Sequence, residues 1–171
     1  HLGRFMNTPV EAAELEYPVM IERYEFIEDS GGAGKYRGGV STRRDIRFFT
    51  DVTWGRYSDR QKFRPLGIFG GKDGSMSSLV LNPGTTMEKK CRSKGVGQIK
   101  SGDLLSIRLP GSGGYGPPEE RDLKAVRQDV INHKISIQSA LKNYKVILDK
   151  NLNIDKQATE SLRFKCRENL K

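Results

Sequence analysis

A chain of 171 residues is long enough for one domain, or for one domain with an appendage. It has no run of about 18 apolar residues, which excludes a transmembrane helix. Its net charge of +9 suggests nucleic-acid binding, but the excess is spread out: residues 1–116 carry 18 basic and 13 acidic side chains, and residues 117–171 carry 12 and 8. Short basic runs such as "KKCRSK" (residues 89–94) therefore favour a solvated basic surface. We also expect the protein to be cytoplasmic.

The glycine distribution divides the chain into two regions. All 19 glycines fall at or before Gly116. Glycine gathers at turns and bulges and destabilises helices. We therefore expect a glycine-rich β region over 1–116 and a helical tail over 117–171, which packs on that region or on a partner.

The β region contains four predicted strand segments, after opening residues that show no helix or strand start. β-branched, aromatic and alternating apolar residues mark them. Gly55 indicates a bulge or bend within the second. We expect a sandwich-like or barrel-like sheet. The segments are Tyr17–Asp29, Ser41–Asp59, Ser77–Gly84 and Ser101–Gly111.

Helical periodicity begins after the last glycine. Asp122 and Ser136 each precede an amphipathic segment and are predicted N-caps, and a third helical segment starts at Asp155. The apolar stripes that follow are typical of packing surfaces. Together with the β region they predict an α+β protein with a C-terminal helical tail.

Two glycine clusters could be phosphate loops or tight turns. The first, "GGAGKYRGG" (Gly31–Gly39), has a lysine but no following hydroxyl and leads towards a strand. The second, "GSGGYGPPEERD" (Gly111–Asp122), leads to a helix, but two prolines and two glutamates intervene. Tight turns are the favoured interpretation of both.

Catalytic and metal sites find little support in the residue pattern. The only histidines are His1 and His133, so a serine or cysteine triad is disfavoured. Cys91 and Cys166 form no zinc-type pair and suggest thiols in a reducing compartment. No catalytic residue and no metal ligand is predicted in this chain.

Three long segments, in this order, resemble the C-terminal part of the hydantoinase B / 5-oxoprolinase family, whose relatives include acetone and acetophenone carboxylases. They are Asn7–Gly39, Ser58–Gly74 and Ser101–Asp122. The resemblance covers about residues 1–150. It is specific because three long motifs recur in the right order.

The resemblance implies a segment of a B-type subunit in an ATP-dependent enzyme that opens cyclic amides such as hydantoins or 5-oxoproline. ATP and Mg would be bound by a hydantoinase A-like partner subunit or fused domain, and any divalent metal by the upstream remainder of the B-type subunit. The chain would be a fragment of a hetero-oligomer, inactive alone, that completes the fold and lines part of the substrate cavity. There are two alternatives to this function. The chain could be a segment of a related ATP-dependent ketone carboxylase, or it could be a non-enzymatic basic nucleic-acid-binding module.

Five residues are candidates for substrate binding. The resemblance implies His1, Asn7 and Thr8 near the cavity, with Arg37 and Tyr115 on the two glycine clusters. Arg37 could meet a carboxylate or carbonyl, or it could form a surface or strand-pairing salt bridge. Tyr115 could donate a hydrogen bond to substrate, or it could be a packing tyrosine.

Overall fold

The computed structural model describes residues 7–168 of the chain. These residues form two compact units, each built from three stretches. The first unit comprises residues 7–25, 43–59 and 78–108, and the second comprises 26–42, 60–77 and 109–168. The predicted boundary between a β region that ends at residue 116 and a helical tail that begins at residue 117 stays a prediction.

The strands and one helix occupy the first two thirds of the chain. Their bounds are α1 Val10–Glu16, β1 Val19–Ile27, β2 Ser41–Phe48, β3 Val52–Tyr57, β4 Ser78–Leu81, β5 Lys89–Lys90, β6 Lys94–Ile99 and β7 Leu104–Arg108. Each of the four predicted strand segments contains at least one of these strands. Helix α1 corrects the expectation that the opening has no helix start: the run "VEAAELE" contains good helix formers and follows Pro9.

Two antiparallel sheets result, one of five strands in the order β1-β2-β7-β4-β5 and one of two strands, β3 and β6. The core of the first unit lies between them, where Leu79 and Leu105 of the larger sheet meet Ile99 and Trp54 of the smaller. No closed barrel forms among the described residues. On β7 both Leu105 and its neighbour Ser106 are buried, whereas Leu109, just beyond the strand, is 53% exposed.

The bulge predicted at Gly55 is wrong. β3 and β6 pair without interruption, and Gly55 lies directly opposite Val96. The glycine that the pairing requires is Gly97, where a Cβ atom would lie 2.6 Å from the indole nitrogen of Trp54. The absence of a side chain at Gly97 therefore makes room for the indole of Trp54.

The helices of the second unit are α2 Leu123–Ile131, α3 Ile137–Tyr144 and α4 Lys156–Glu168, preceded by a 3₁₀ turn at Pro118–Glu120. Both predicted N-caps, Asp122 and Ser136, are confirmed, and Asp155 caps the third helix. Asp122 accepts a hydrogen bond from Ala125 N at 2.9 Å, Ser136 from Ser139 N at 3.0 Å, and Asp155 from Ala158 N at 3.0 Å. Each cap satisfies a backbone donor that the first helical turn leaves unpaired.

The core of the second unit combines α2 and α3 with glycine-rich backbone. Val126, Val130, Ala140 and Tyr144 are buried together with Ala33. The α+β class, with two antiparallel sheets and a helical C-terminal part, is confirmed. No helix in the described part of the chain has the length and apolar character needed to cross a bilayer.

Candidate functional site

Three extended segments of the second unit, residues 30–39, 65–77 and 109–116, pack backbone against backbone, and we call them the glycine core. Hydrogen bonds join all three: Gly32 N donates to Ser112 O at 2.8 Å, Lys72 N to Ala33 O at 2.7 Å, and Gly114 N to Lys72 O at 2.9 Å. Both glycine clusters of the sequence belong to this core.

The turn interpretation of these clusters is wrong for most of their glycines. No glycine of the first cluster has a positive φ, and in the second only Gly116 does. A Cβ atom at Gly32 would lie 2.0 Å from Lys72 O, and one at Gly114 would lie 2.2 Å from Ala33 O. Glycine is needed here because neighbouring backbones approach too closely for any side chain.

An aromatic cluster, formed by Tyr36, Phe69 and Tyr115, is mounted on the glycine core. The ring of Tyr115 lies 6.0 Å from that of Tyr36 and 5.3 Å from that of Phe69, in tilted arrangements. The Tyr115 backbone is bridged to Tyr36 on one side and to Ile68 on the other. All three rings are at least 46% exposed. The result is a firmly held aromatic surface that is open to solvent.

Behind the first glycine segment lies a buried charge cluster formed by Arg37, Arg121 and Asp129. Nε of Arg37 donates to Asp129 at 3.0 Å, and a terminal nitrogen of Arg121 donates to the same carboxylate oxygen at 2.8 Å. All three side chains are at most 15% exposed. Two cations thus share one carboxylate. Arg37 does form a salt bridge, but the bridge is buried and its partner lies on helix α2, so it is neither the surface bridge nor the strand-pairing bridge that was predicted.

Two polar atoms beside this cluster have no hydrogen-bond partner: Nε of Arg121 and the hydroxyl of Tyr144. Burial raises the pKa of Tyr144 to about 12, although the charges of Arg121 and Arg37 act in the opposite direction. The nearby Gly34 peptide also lowers this pKa slightly without reaching hydrogen-bond geometry. Tyr144 therefore stays neutral over the physiological range.

The remaining candidates belong elsewhere. Asn7 and Thr8 are exposed residues of the first unit, and Asn7 donates to the Tyr24 hydroxyl at 2.7 Å. His1 lies outside the described residues. The structure thus brings Arg37 and Tyr115 into one unit, on two segments of one core, whereas Asn7 and Thr8 lie in the other unit.

The first unit has a buried carboxylate of its own, Asp45 on β2, which is paired with Arg43 at 2.7 Å. Burial alone would raise the pKa of Asp45, but the hydrogen bond and charge of Arg43, with the charge of Arg23, hold it below its ordinary value. Asp45 is therefore ionised and structural at neutral pH.

Sequence reasoning missed Asp129, Tyr36 and Phe69. Asp129 could have been suspected, since it stands next to Val130 in a predicted amphipathic helix. Tyr36 and Tyr115 each follow a glycine-rich run, which was a signal that the two belong together. Within residues 7–168 no group of three or more histidine, cysteine, aspartate or glutamate side chains has a metal-binding arrangement.

A sequence model of the family described as Hydantoinase B/oxoprolinase matches residues 1–118, a stretch that ends just after the glycine core. The chain belongs to this family. It is 40% identical over 92% of its length to the uncharacterized protein MJ0963 of Methanocaldococcus jannaschii. It is 31% identical over 94% of its length to the caprolactamase subunit beta of Pseudomonas jessenii.

A solved structure supports the same assignment to the hydantoinase B/oxoprolinase family. The ATP-dependent caprolactamase from Pseudomonas jessenii superimposes with a TM-score of 0.78 and 31% identity, and the match covers 93% of this chain. The chain spans 28% of MJ0963, 29% of the caprolactamase subunit and 28% of the solved chain. It thus corresponds to less than a third of each.

Proposed function

We propose that this chain is the C-terminal segment of a hydantoinase B-like subunit in an ATP-dependent enzyme that opens cyclic amides such as hydantoins or 5-oxoproline. Its role there is to complete the fold of the subunit and to line part of the substrate cavity. The observation that carries the proposal is the aromatic cluster, which is mounted on the glycine core of a family member.

The chemistry of the aromatic cluster fits a cyclic amide. Such a ring has a flat amide unit and an apolar methylene edge, which pack well against tilted aromatic faces. The Tyr115 hydroxyl can donate a hydrogen bond to an amide carbonyl. Because its backbone is bridged on both sides, Tyr115 needs little ordering when substrate binds.

The other predicted residues enter this proposal with different roles. His1, Asn7 and Thr8 remain proposed cavity residues. Arg37 stays a proposed substrate contact, but its guanidinium is bound to Asp129, so a substrate carbonyl would have to compete with a buried ion pair.

Partners and cofactors follow the same proposal. ATP and Mg would be bound by a hydantoinase A-like subunit or fused domain, in a cytoplasmic hetero-oligomer that includes the rest of the B-type subunit. The Pseudomonas jessenii relative is the beta subunit of a caprolactamase, which supports a multi-subunit assembly.

The test is to co-express the complete B-type protein containing this chain with a hydantoinase A-type subunit. ATP hydrolysis is then measured with hydantoin, 5-oxoproline or caprolactam, and separately with acetone and bicarbonate. We expect ADP release to depend on one of the cyclic amides. Release that depends only on acetone and bicarbonate would replace the proposal with the ketone-carboxylase alternative, and release that depends on none would refute it.

Arg37→Ala in that enzyme distinguishes its two roles. Loss of the buried ion pair lowers the melting temperature in either case, but a substrate contact also predicts a KM raised by about tenfold. An ion pair that only fixes the glycine core predicts a lower melting temperature with an unchanged KM.

A further inference from the structure

The first unit contains a cavity of about 500 Å³ that the proposed function does not use. It opens between the edge strand β5 of the larger sheet and the β3–β6 pair. Its walls are Trp54 of β3, Leu81 of β4, and the stretch from β5 to β6 that contains the basic run of residues 89–94. We call it the basic cavity.

The lining of the basic cavity is strongly positive. Four of the lining residues are cations, namely Lys89, Lys90, Arg92 and Lys94, and none of the residues that line it is an aspartate or glutamate. The neighbouring acid in sequence, Glu88, accepts a hydrogen bond from Gly84 N at 2.8 Å. The lining therefore carries a formal charge of +4 from its four cations.

A fifth cation lies behind this wall. Arg56 is buried, and its guanidinium donates to two neutral oxygens, the Ser58 hydroxyl at 3.0 Å and the Cys91 carbonyl at 3.3 Å. Burial lowers the pKa of Arg56. Arg56 therefore places a fifth positive charge next to the lining residue Cys91.

The apolar part of the cavity is also ordered. Trp54 is half-buried and packs along the Gly97 backbone, where a Cβ atom would lie 2.6 Å from the indole nitrogen. A volume near 500 Å³ is within the range of small-molecule sites, roughly 300–1,000 Å³. The cavity thus combines a lining rich in cations with one aromatic wall.

We propose that the basic cavity binds a polyphosphate anion, either inorganic or as the phosphate chain of a nucleotide. A single carboxylate would neutralise only one of the four lining cations, whereas a di- or triphosphate carries enough charge for most of them. A nucleic-acid strand fits less well because single-strand sites offer several stacking aromatics, and this cavity offers one. The proposal does not depend on cyclic-amide chemistry.

Trp54 is the only tryptophan of the chain, so its fluorescence reports directly on the cavity. The 171-residue protein is titrated with sodium tripolyphosphate, ATP without magnesium, and adenosine. We expect a saturable fluorescence change with the first two and none with adenosine. Equal affinities for tripolyphosphate and ATP would identify the phosphates as the whole recognised group, and tighter ATP binding would identify a nucleotide.

The double variant Lys89→Ala/Lys94→Ala removes two exposed cavity cations. Lys124→Ala/Lys150→Ala, exposed lysines of the second unit, changes net charge equally and is the matched control. We expect the cavity variant to weaken tripolyphosphate binding about tenfold and the control to change it less than about twofold. Circular dichroism of both variants verifies folding.

Three results would overturn the proposal. The first is a fluorescence change that does not saturate with either phosphate compound. The second is equal weakening in the cavity variant and the control, which would indicate general charge attraction. The third is saturable binding of a single-stranded oligonucleotide together with no binding of tripolyphosphate or ATP, which would identify a nucleic-acid surface.

Discussion

Replacing Gly114 by alanine tests the glycine core directly. The added Cβ atom would lie 2.2 Å from Ala33 O, 2.6 Å from the Ala33 carbonyl carbon and 2.7 Å from Gly32 O. All three neighbours are backbone atoms, so none can rotate away. Ordinary contacts of this kind need about 3.5 Å, and neighbouring backbones must therefore separate by roughly 1 Å.

The expected cost follows from two opposing effects. Overpacking of this severity costs about 3 kcal/mol, at the upper end of the usual range. Gly114 has no positive φ, so alanine also reduces the entropy of the unfolded chain, which offsets roughly 0.5–1 kcal/mol. We expect a net loss of about 2 kcal/mol in the free energy of unfolding.

Urea unfolding measures this loss. Helices α2, α3 and α4 lie in the same unit as Gly114, so the helical circular dichroism signal reports on that unit. With a slope of about 2 kcal/mol per molar urea, the midpoint should fall by about 1 M. Gly55→Ala is the matched control, because a Cβ atom there meets nothing within 4 Å, and it should leave the midpoint unchanged or slightly higher. Equal midpoints for the two variants would refute close backbone packing at Gly114.

Three further predictions concern buried ionisable groups. Asp129→Asn should lower the free energy of unfolding by about 3 kcal/mol, because the two guanidiniums of the buried charge cluster lose their anion, and an unchanged urea midpoint would contradict this. The folded pKa of Tyr144 is about 12 and the ordinary value is 10.0, so its contribution to the free energy of unfolding is complete below pH 10 and is lost as the pH rises towards 12. Relative to Tyr144→Phe, the wild type should lose up to roughly 2 kcal/mol of this free energy between pH 10 and 12. Curves of stability against pH that run parallel for the two proteins would contradict this. Asp45 has a folded pKa below 3.8, so its contribution to the free energy of unfolding is present above that pH and is lost as the pH falls further. In urea unfolding followed by Trp54 fluorescence, Asp45→Asn should therefore lose less stability than the wild type as the pH is lowered. An equal loss in the variant and the wild type would count against the ion pair.

The elements that sequence reasoning predicted correctly depend on short-range contacts. The caps at Asp122 and Ser136 each bond a backbone N–H three residues ahead, so a local pattern suffices to locate them. Strand β7 was likewise predictable, because the alternation of apolar and polar residues along it is a local pattern. Family membership was predictable because long motifs recur in order.

The glycine core could not be predicted because its contacts are long-range. Gly32 approaches Lys72 and Gly114, which lie 40 and 82 positions further along the chain (72 − 32 and 114 − 32). A glycine that permits a turn and a glycine that permits backbone contact look the same in a sequence. The Arg37–Asp129 pair was missed for the same reason, since its partners come from different segments.

The claim most in need of a test is that the aromatic cluster lines the cyclic-amide cavity. In the complete enzyme with its A-type subunit, kcat/KM for the cyclic amide is compared between Tyr115→Ala and Tyr57→Ala, an 89% exposed tyrosine of the first unit. The account predicts a loss of about tenfold or more for Tyr115→Ala and less than about twofold for Tyr57→Ala. Wild-type kcat/KM in both variants would contradict it.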